Sequence, residues 1–196
     1  MLPAVSRRTS KETDVTRTTR WMLALSVALL PARAFAQGEA PKTSAEVMSP
    51  AIQEAIKRAL IEVSKPGVTV NDRVISVQDE GKYNIAVAVV ARPAGTFKNS
   101  LSHDKITEIY YVMKGTGTQV TGTMVDGTRG TNVSTTIGPG MSSNSPIQNP
   151  KSRKLGPGDI QIIPPGVAHG FTSIDAGGIE YLVFRVDPEH LLALSK

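Results

Sequence analysis

The spacing of apolar residues changes once along the chain, from a helical pattern to a strand-like pattern. Between Ser49 and Ser64, apolar residues recur every three or four positions, which predicts one amphipathic helix. We expect Ser49 to cap this helix and Pro50 to take the first helical position, where a missing backbone N–H costs nothing. The apolar stripe of the helix consists of Ile52, Ile56, Leu60 and Val63.

From Pro66 onward the chain consists of short segments rich in β-branched and aromatic residues, separated by Gly, Pro, Asn and Asp. Several such segments without helices between them favour an antiparallel sandwich or barrel. The predicted strands are GVTVNDRVISV, YNIAVAVVAR, TEIYYVMKG, TGTQVTGTMV, DIQIIP and GIEYLVFRV.

Thr131 to Lys154 is mostly Ser, Gly, Pro, Asn and Thr, which predicts a long loop. Long loops in compact domains are often functional, so a lid over a ligand site is one interpretation. A solvated insertion is the other, and both remain open.

The N-terminal segment has the order of a secretory signal peptide. Arg17 and Arg20 precede the apolar run Trp21–Leu30, and an Ala-Phe-Ala triplet ends at Ala36. We expect cleavage between Ala36 and Gln37. The apolar run is shorter than the roughly 20 residues that span a bilayer, which disfavours the alternative of a permanent anchor.

Removing residues 1–36 changes the charge of the chain. The whole sequence has 22 Lys and Arg against 17 Asp and Glu, and the part after residue 36 has 16 against 15. No basic stripe remains that would indicate nucleic-acid binding, and without cysteine the fold must be stable without disulfides. We expect a signal peptide over 1–36, a lead-in and amphipathic helix over 37–65, and a barrel domain over 66–196. The mature protein would be periplasmic or secreted, with no stable membrane insertion.

The stretch GDIQIIPPGVAHGF places a histidine just after a Pro-Pro-Gly corner. Gly158, Pro164, Gly166 and His169 have the spacing of the second sequence motif of the cupin superfamily, which this stretch resembles. The family often has asparagine four residues after the histidine, where this chain has Ser173.

A first cupin motif fits upstream with one departure. Gly95, His103, Glu108 and Gly115 stand at the motif positions, and Leu101 replaces the first histidine of the family's His-x-His pair. Both motifs in the right order resemble a small single-domain, type-2 cupin over about Pro66 to Asp187. The resemblance implies an all-β fold, a cupin-type jelly-roll β-barrel with one N-terminal helix.

The resemblance also implies a metal site built from His103, Glu108 and His169. Two imidazoles and one carboxylate suit one divalent transition metal, and the ligand types do not separate Fe, Mn, Ni and Zn. The alternative is a metal-free barrel, in which a buried Glu108 needs a partner. Lys105 and Arg185 are the candidates.

Strand alternation places Glu108, Tyr110 and Val112 on one face of their strand, which we expect to be the barrel interior. The candidate pocket-lining residues are Leu101, Tyr110 and Phe171, and His190 is expected at the surface. The opposite face is partly apolar, so either another element of the chain or a second subunit would cover it, and we expect a homodimer. That outer set is Ile109, Tyr111 and Met113.

Three classes of function remain open from the sequence. The first is an exported metalloenzyme, dioxygenase-like or isomerase-like, that acts on a small organic substrate. The second is a barrel that binds a small ligand without chemistry, which Leu101 favours because an apolar residue there cannot ligate a metal. The third is a structural role for the helix and the outer strand face. The fold family does not name a reaction.

Overall fold

The computed structural model describes residues 44–130 and 137–194, which form one helix and ten strands. The strands make one antiparallel sheet, so the predicted all-β jelly-roll architecture with an N-terminal helix is confirmed. The predicted signal peptide lies outside the described residues. Within the described ranges, no helix is long and apolar enough to cross a bilayer. The elements are α1 (Ser49–Val63), β1 (Asn71–Asp79), β2 (Asn84–Arg92), β3 (Gly95–Thr96), β4 (Ser100–His103), β5 (Thr107–Thr123), β6 (Thr128–Arg129), β7 (Gly140–Ser143), β8 (Gln148–Leu155), β9 (Ile160–Ile163) and β10 (Ala168–Asp187).

The two longest strands, β5 and β10, pair antiparallel along nearly their whole lengths and join the other strands around them. The sequence pattern predicted two strands where β5 is one. Gly115 accounts for the difference, because it has a φ of 76° and sits at an irregularity in the pairing. A Cβ at Gly115 would lie 1.9 Å from the carbonyl oxygen of Gly178. Only glycine at position 115 therefore lets β5 continue as one strand past its close approach to Gly178 of β10.

The predicted loop over Thr131–Lys154 is wrong where β7 and β8 lie. β8 pairs with β5, and seven of its eight residues are exposed. Its polar side chains show no apolar alternation, so the pattern gave no strand signal. Backbone hydrogen bonds along the edge of β5 hold this strand in place instead.

Helix α1 has the predicted span to within one residue, but its cap differs from the prediction. Met48 is the N-cap residue and makes no side-chain capping bond. Ser49 lies inside the helix, where its hydroxyl accepts a hydrogen bond from Gln53 Nε2 at 3.2 Å. Proline stands in the first helical turn, as expected.

The helix packs on β1 and β2 through a face that is rotated from the predicted stripe. Ala59 and Val63 are its buried residues and contact Ala91 of β2, whereas Leu60 is 38% exposed. The helix thereby covers the outer side of β2, which explains why that strand is apolar on both faces.

β5 shows the alternation that the sequence predicts. Glu108, Tyr110 and Val112 are at most 5% exposed, and Tyr111 between them is 40% exposed. β9 pairs with β5 in the sheet. Ile160 and Ile162 of β9 lie opposite Tyr111 and Ile109 and are 65% and 64% exposed. An uncovered apolar strip therefore lies on the outer face of the sheet.

Candidate metal centre

The corner between β9 and β10 is a tight turn that fixes the start of β10. Val167 N donates to the carbonyl oxygen of Pro164 at 3.4 Å, and Gly166 has a φ of 78°. A positive φ at this position of a turn favours glycine. Gly166 N also donates to the carbonyl oxygen of His103 at 2.7 Å. The corner is therefore tied directly to the strand that carries the other histidine.

His169 is the second residue of β10, pairs with Leu101 of β4, and is 2% exposed. Its Nδ1 lies 3.0 Å from the carbonyl oxygen of Val167. A carbonyl can only accept, so Nδ1 carries the proton and a neutral ring has its lone pair on Nε2. The turn therefore sets both the direction and the tautomer of His169.

The side chains of His103, Glu108 and His169 meet inside the sheet, although they come from β4, β5 and β10. One potential ligand atom from each lies within 4.8 Å of the other two, and all three residues are buried. Each histidine Nε2 is 3.3 Å from Oε2 of Glu108. Both Nε2 atoms are buried and have no hydrogen-bond partner among the described residues.

These distances fit a metal ion. An imidazole lone pair and a carboxylate oxygen facing each other at 3.3 Å repel, unless a positive charge lies between them. Ligands held about 2.0–2.2 Å from one ion in a tetrahedral arrangement lie about 3.3–3.6 Å apart. A proton on Nε2 is the other charge that fits this place.

Glu108 already has partners on both of its oxygens. Arg185 Nε donates to Oε1 at 2.8 Å, and the Tyr110 hydroxyl donates to Oε2 at 2.9 Å. Both terminal nitrogens of Arg185 also donate to the carboxylate of Asp72. Arg185 is thus the partner of Glu108, and the other candidate, Lys105, instead pairs with Glu189 at the surface at 2.9 Å.

The charges around Glu108 fix its protonation state. Burial alone would raise the pKa of Glu108, but N–H groups of His103 and His169, when protonated at Nε2, and the Arg185 guanidinium lower it well below its usual value. Burial alone would lower the pKa of Arg185, and the carboxylates of Asp72 and Glu108 raise it instead. Burial and the Glu108 charge raise the pKa of Tyr110 well above its usual value. At neutral pH the site therefore holds a carboxylate, a guanidinium and a neutral phenol.

A cavity of about 90 Å³ lies beside the cluster. His103, Glu108, Leu101 and Tyr110 all line it. Phe171, the third predicted pocket-lining residue, does not line this cavity. It is 2% exposed and packs in the core with its ring centre 5.9 Å from that of Tyr181.

Sequence reasoning missed three polar residues of this cavity, namely Asp72, Arg92 and Tyr181. Arg92 had a usable signal, because it continues the alternation of inward residues along β2. Asp72 and Tyr181 had none, since their roles depend on pairings between distant strands. Gln119 was also missed, and both atoms of its buried side-chain amide lack a partner among the described residues.

The comparison with protein families agrees with this geometry. The sequence profile of the cupin family matches residues 71–194, which is more than half of the chain. The chain therefore belongs to the cupin family. No curated protein matches the sequence.

Several solved structures are similar to this chain. KdgF from Halomonas sp. is 14% identical, with 64% of this chain and 83% of that chain covered and a TM-score of 0.39. EutQ from Clostridium difficile is 14% identical, with coverages of 65% and 75% and a TM-score of 0.39. An uncharacterized conserved protein with a double-stranded β-helix domain from Klebsiella pneumoniae is 17% identical, with coverages of 78% and 99% and a TM-score of 0.42.

Proposed function

We propose that this cupin binds one divalent transition metal through His103, Glu108 and His169 and acts on a small organic molecule, as a dioxygenase-like or isomerase-like enzyme. The observation that carries the proposal is the pair of buried, unpartnered Nε2 atoms, both 3.3 Å from one carboxylate oxygen. Two imidazoles and a carboxylate form a ligand set that leaves coordination positions open, and Fe, Mn, Ni and Zn all accept it.

The surrounding residues would support such a centre in separate ways. Arg185 and Tyr110 hold the carboxylate of Glu108, and Val167 fixes the ring of His169. Outer hydrogen bonds of this kind orient ligands and tune a metal site. A bound metal would supply Lewis-acid or redox chemistry. Leu101 presents an apolar wall where the family has a histidine, so one position that a cupin ligand would take stays free.

A metal-free barrel that binds a small ligand without chemistry is the second candidate. The contacts of Glu108 favour it, because a guanidinium on one oxygen and a phenol on the other give the buried carboxylate partners without a metal. In that protein, a proton on an imidazole would take the place of the metal charge.

Metal reconstitution tests the first candidate. Protein stripped with a chelator would be loaded separately with Fe²⁺, Mn²⁺, Ni²⁺ and Zn²⁺ and dialysed, and metal per chain and melting temperature would be measured. We expect about one ion per chain and a higher melting temperature, because a ligand that binds only the folded state stabilises it. His169→Ala should weaken binding at least tenfold, since loss of even an outer partner typically costs 10–100-fold.

His190→Ala is the matched control, because the third histidine of the chain is exposed, as predicted, and contacts Asn84 instead. If no metal is retained, or if His169→Ala leaves metal content and melting temperature unchanged, the metal-free barrel replaces the metalloenzyme.

We also propose that two copies pair through the uncovered strip formed by Ile109, Tyr111, Ile160 and Ile162. Static light scattering should give the dimer mass, and Ile162→Lys should shift it to the monomer because it buries a charge in the interface. Ser152→Lys, on the exposed strand β8, should leave the mass unchanged. A monomer at high concentration would exclude this assembly.

Export is the remaining part of the proposal, and it rests on the order of charged, apolar and small residues before Gln37. N-terminal sequencing of the mature protein should start at Gln37. A mature chain that retains the segment around Trp21–Leu30 would show an anchored or unprocessed protein instead.

A further inference from the structure

Arg92 lies at the end of β2 on the inward face of that strand. Ala88 and Val90 precede it on the same face and belong to the main core cluster. In the ladder with β10, Arg92 pairs with Ile179, which is also buried. Its side chain is 7% exposed. The fold therefore brings a guanidinium into the interior, at the edge of the apolar core.

The contacts of Arg92 hold its side chain but do not neutralise it. Nε donates to the hydroxyl of Tyr181 at 3.1 Å. The guanidinium carbon lies 5.6 Å from the centre of the Phe171 ring, within the range of a cation–π contact. Arg92 also lines the cavity of about 90 Å³ that His103 and Glu108 line.

Among residues 44–130 and 137–194, no carboxylate lies within salt-bridge distance of Arg92, and its terminal nitrogens make no hydrogen bond to another residue. Arginine does not lose its proton in proteins, and a buried charge without a counter-ion is costly. Both terminal nitrogens of the guanidinium fork therefore carry N–H groups that no described residue accepts, beside a cavity. Such a fork matches the two oxygens of a carboxylate.

We propose that Arg92 binds the carboxylate of a short organic acid in this cavity. The cavity of about 90 Å³ is well below the roughly 300 Å³ or more of pockets for drug-sized ligands, which suits acids of the size of acetate, lactate or oxalate. The rest of the acid then points to the wall formed by His103 and Glu108. The inference deepens the proposed function, because it names the class of its substrate or ligand, but the Arg92 contact itself needs no metal.

The test uses the full mature protein, first stripped of metal. Isothermal titration with acetate, lactate and oxalate is compared with acetamide and lactamide, at constant ionic strength. We expect the acids to bind and the amides to bind at least tenfold more weakly. Arg92→Gln should lose at least tenfold in affinity for the acids. Arg153→Gln, a change at an exposed arginine of β8, should bind like the wild type.

Arg92→Lys keeps the charge and loses the guanidinium fork, so it should bind the acids with intermediate affinity. It replaces Arg92→Gln in the test if that variant does not fold. Equal binding of acid and amide, or acid binding by Arg92→Gln at wild-type strength, would overturn the proposal. Inorganic phosphate that binds as tightly as the acids would overturn the assignment to carboxylates and leave a general anion site.

Metal content separates this inference from the proposed function. Arg92→Gln should retain as much metal as the wild type, because Arg92 is not a ligand, and a loss of metal would overturn the role given to it here. Binding of acids that depends on Arg92 in a protein that retains no metal would support this inference while it rejects the metalloenzyme.

Discussion

Two buried arginines, Arg185 and Arg92, lie on the inward faces of the paired strands β10 and β2 and have opposite surroundings. Arg185 is 1% exposed and donates to the carboxylates of Asp72 and Glu108. Arg92 is 7% exposed and has a phenol and an aromatic face as its neighbours. One cation is neutralised twice by the protein, and the other has no carboxylate within salt-bridge distance among the described residues, although the Asp72 charge acts on it from farther away.

The difference separates a cation that stabilises the structure from one that is available to a ligand. Breaking a buried ion pair leaves uncompensated charges and is strongly destabilising. An unpaired buried cation costs stability in the free protein, and an anionic ligand offsets that cost when it binds. Such a local loss of stability is common where a site is built for function. Mutations that remove each charge therefore test the comparison.

The largest effect is expected for Arg185→Met, which removes the cation and keeps a similar apolar volume. Glu108 would lose its main counter-charge inside the sheet, and Asp72 would lose both of its donors. We expect the free energy of unfolding to fall by about 3–5 kcal/mol, measured by urea denaturation. Arg153→Met at the exposed strand β8 should stay within about 0.5 kcal/mol of the wild type. A loss under about 1 kcal/mol for Arg185→Met would show that the ion pairs are not structural.

Much of the fold around these arginines could be predicted from the sequence. The two motif spacings identified the family, and the strand alternation placed Glu108 and Tyr110 inside and Tyr111 outside. His103, Glu108 and His169 were named from motif positions alone, and the structure brings them together. Each of these inferences depends on local spacing, which a single sequence displays.

What the sequence could not give depends on contacts between distant segments. Asp72 and Arg185 are 113 residues apart, and no local pattern links them. Lys105 and Arg185 were equal candidates for Glu108 because sequence shows charge but not the side of the sheet. β8 was missed because its partner is a strand edge rather than the core, so it needs no apolar alternation. The buried face of α1 differs from the predicted stripe because Ala59 and Val63, rather than Leu60, pack against Ala91 of β2.

A smaller effect is expected for Asp72→Asn, which sharpens the assignment of Arg185. The amide keeps one acceptor oxygen but loses the charge, and Arg185 keeps its bond to Glu108. Hydrogen bonds to charged groups contribute about 1.5–3 kcal/mol, so we expect a loss in that range in urea denaturation. The double variant with Arg185→Met should lose much less than the sum of the single losses, because the two residues are in contact. Additive losses would contradict a direct pair.

The smallest effect on stability is expected for Arg92→Met, and it decides the comparison. The variant loses the bond to Tyr181, worth about 0.5–1.5 kcal/mol, but it also removes a buried charge that no described carboxylate pairs with directly. These terms oppose each other, so the free energy of unfolding without ligand should stay within about 1 kcal/mol of the wild type.

Acetate should then distinguish the two proteins. Urea denaturation would be repeated with acetate at about 100-fold its dissociation constant. Acetate should stabilise the wild type by about 2.7 kcal/mol and leave the stability of Arg92→Met unchanged. If Arg92→Met instead destabilises the ligand-free protein by as much as Arg185→Met, then Arg92 is structural. In that case both arginines belong to the core, and the cavity has no cation reserved for a ligand.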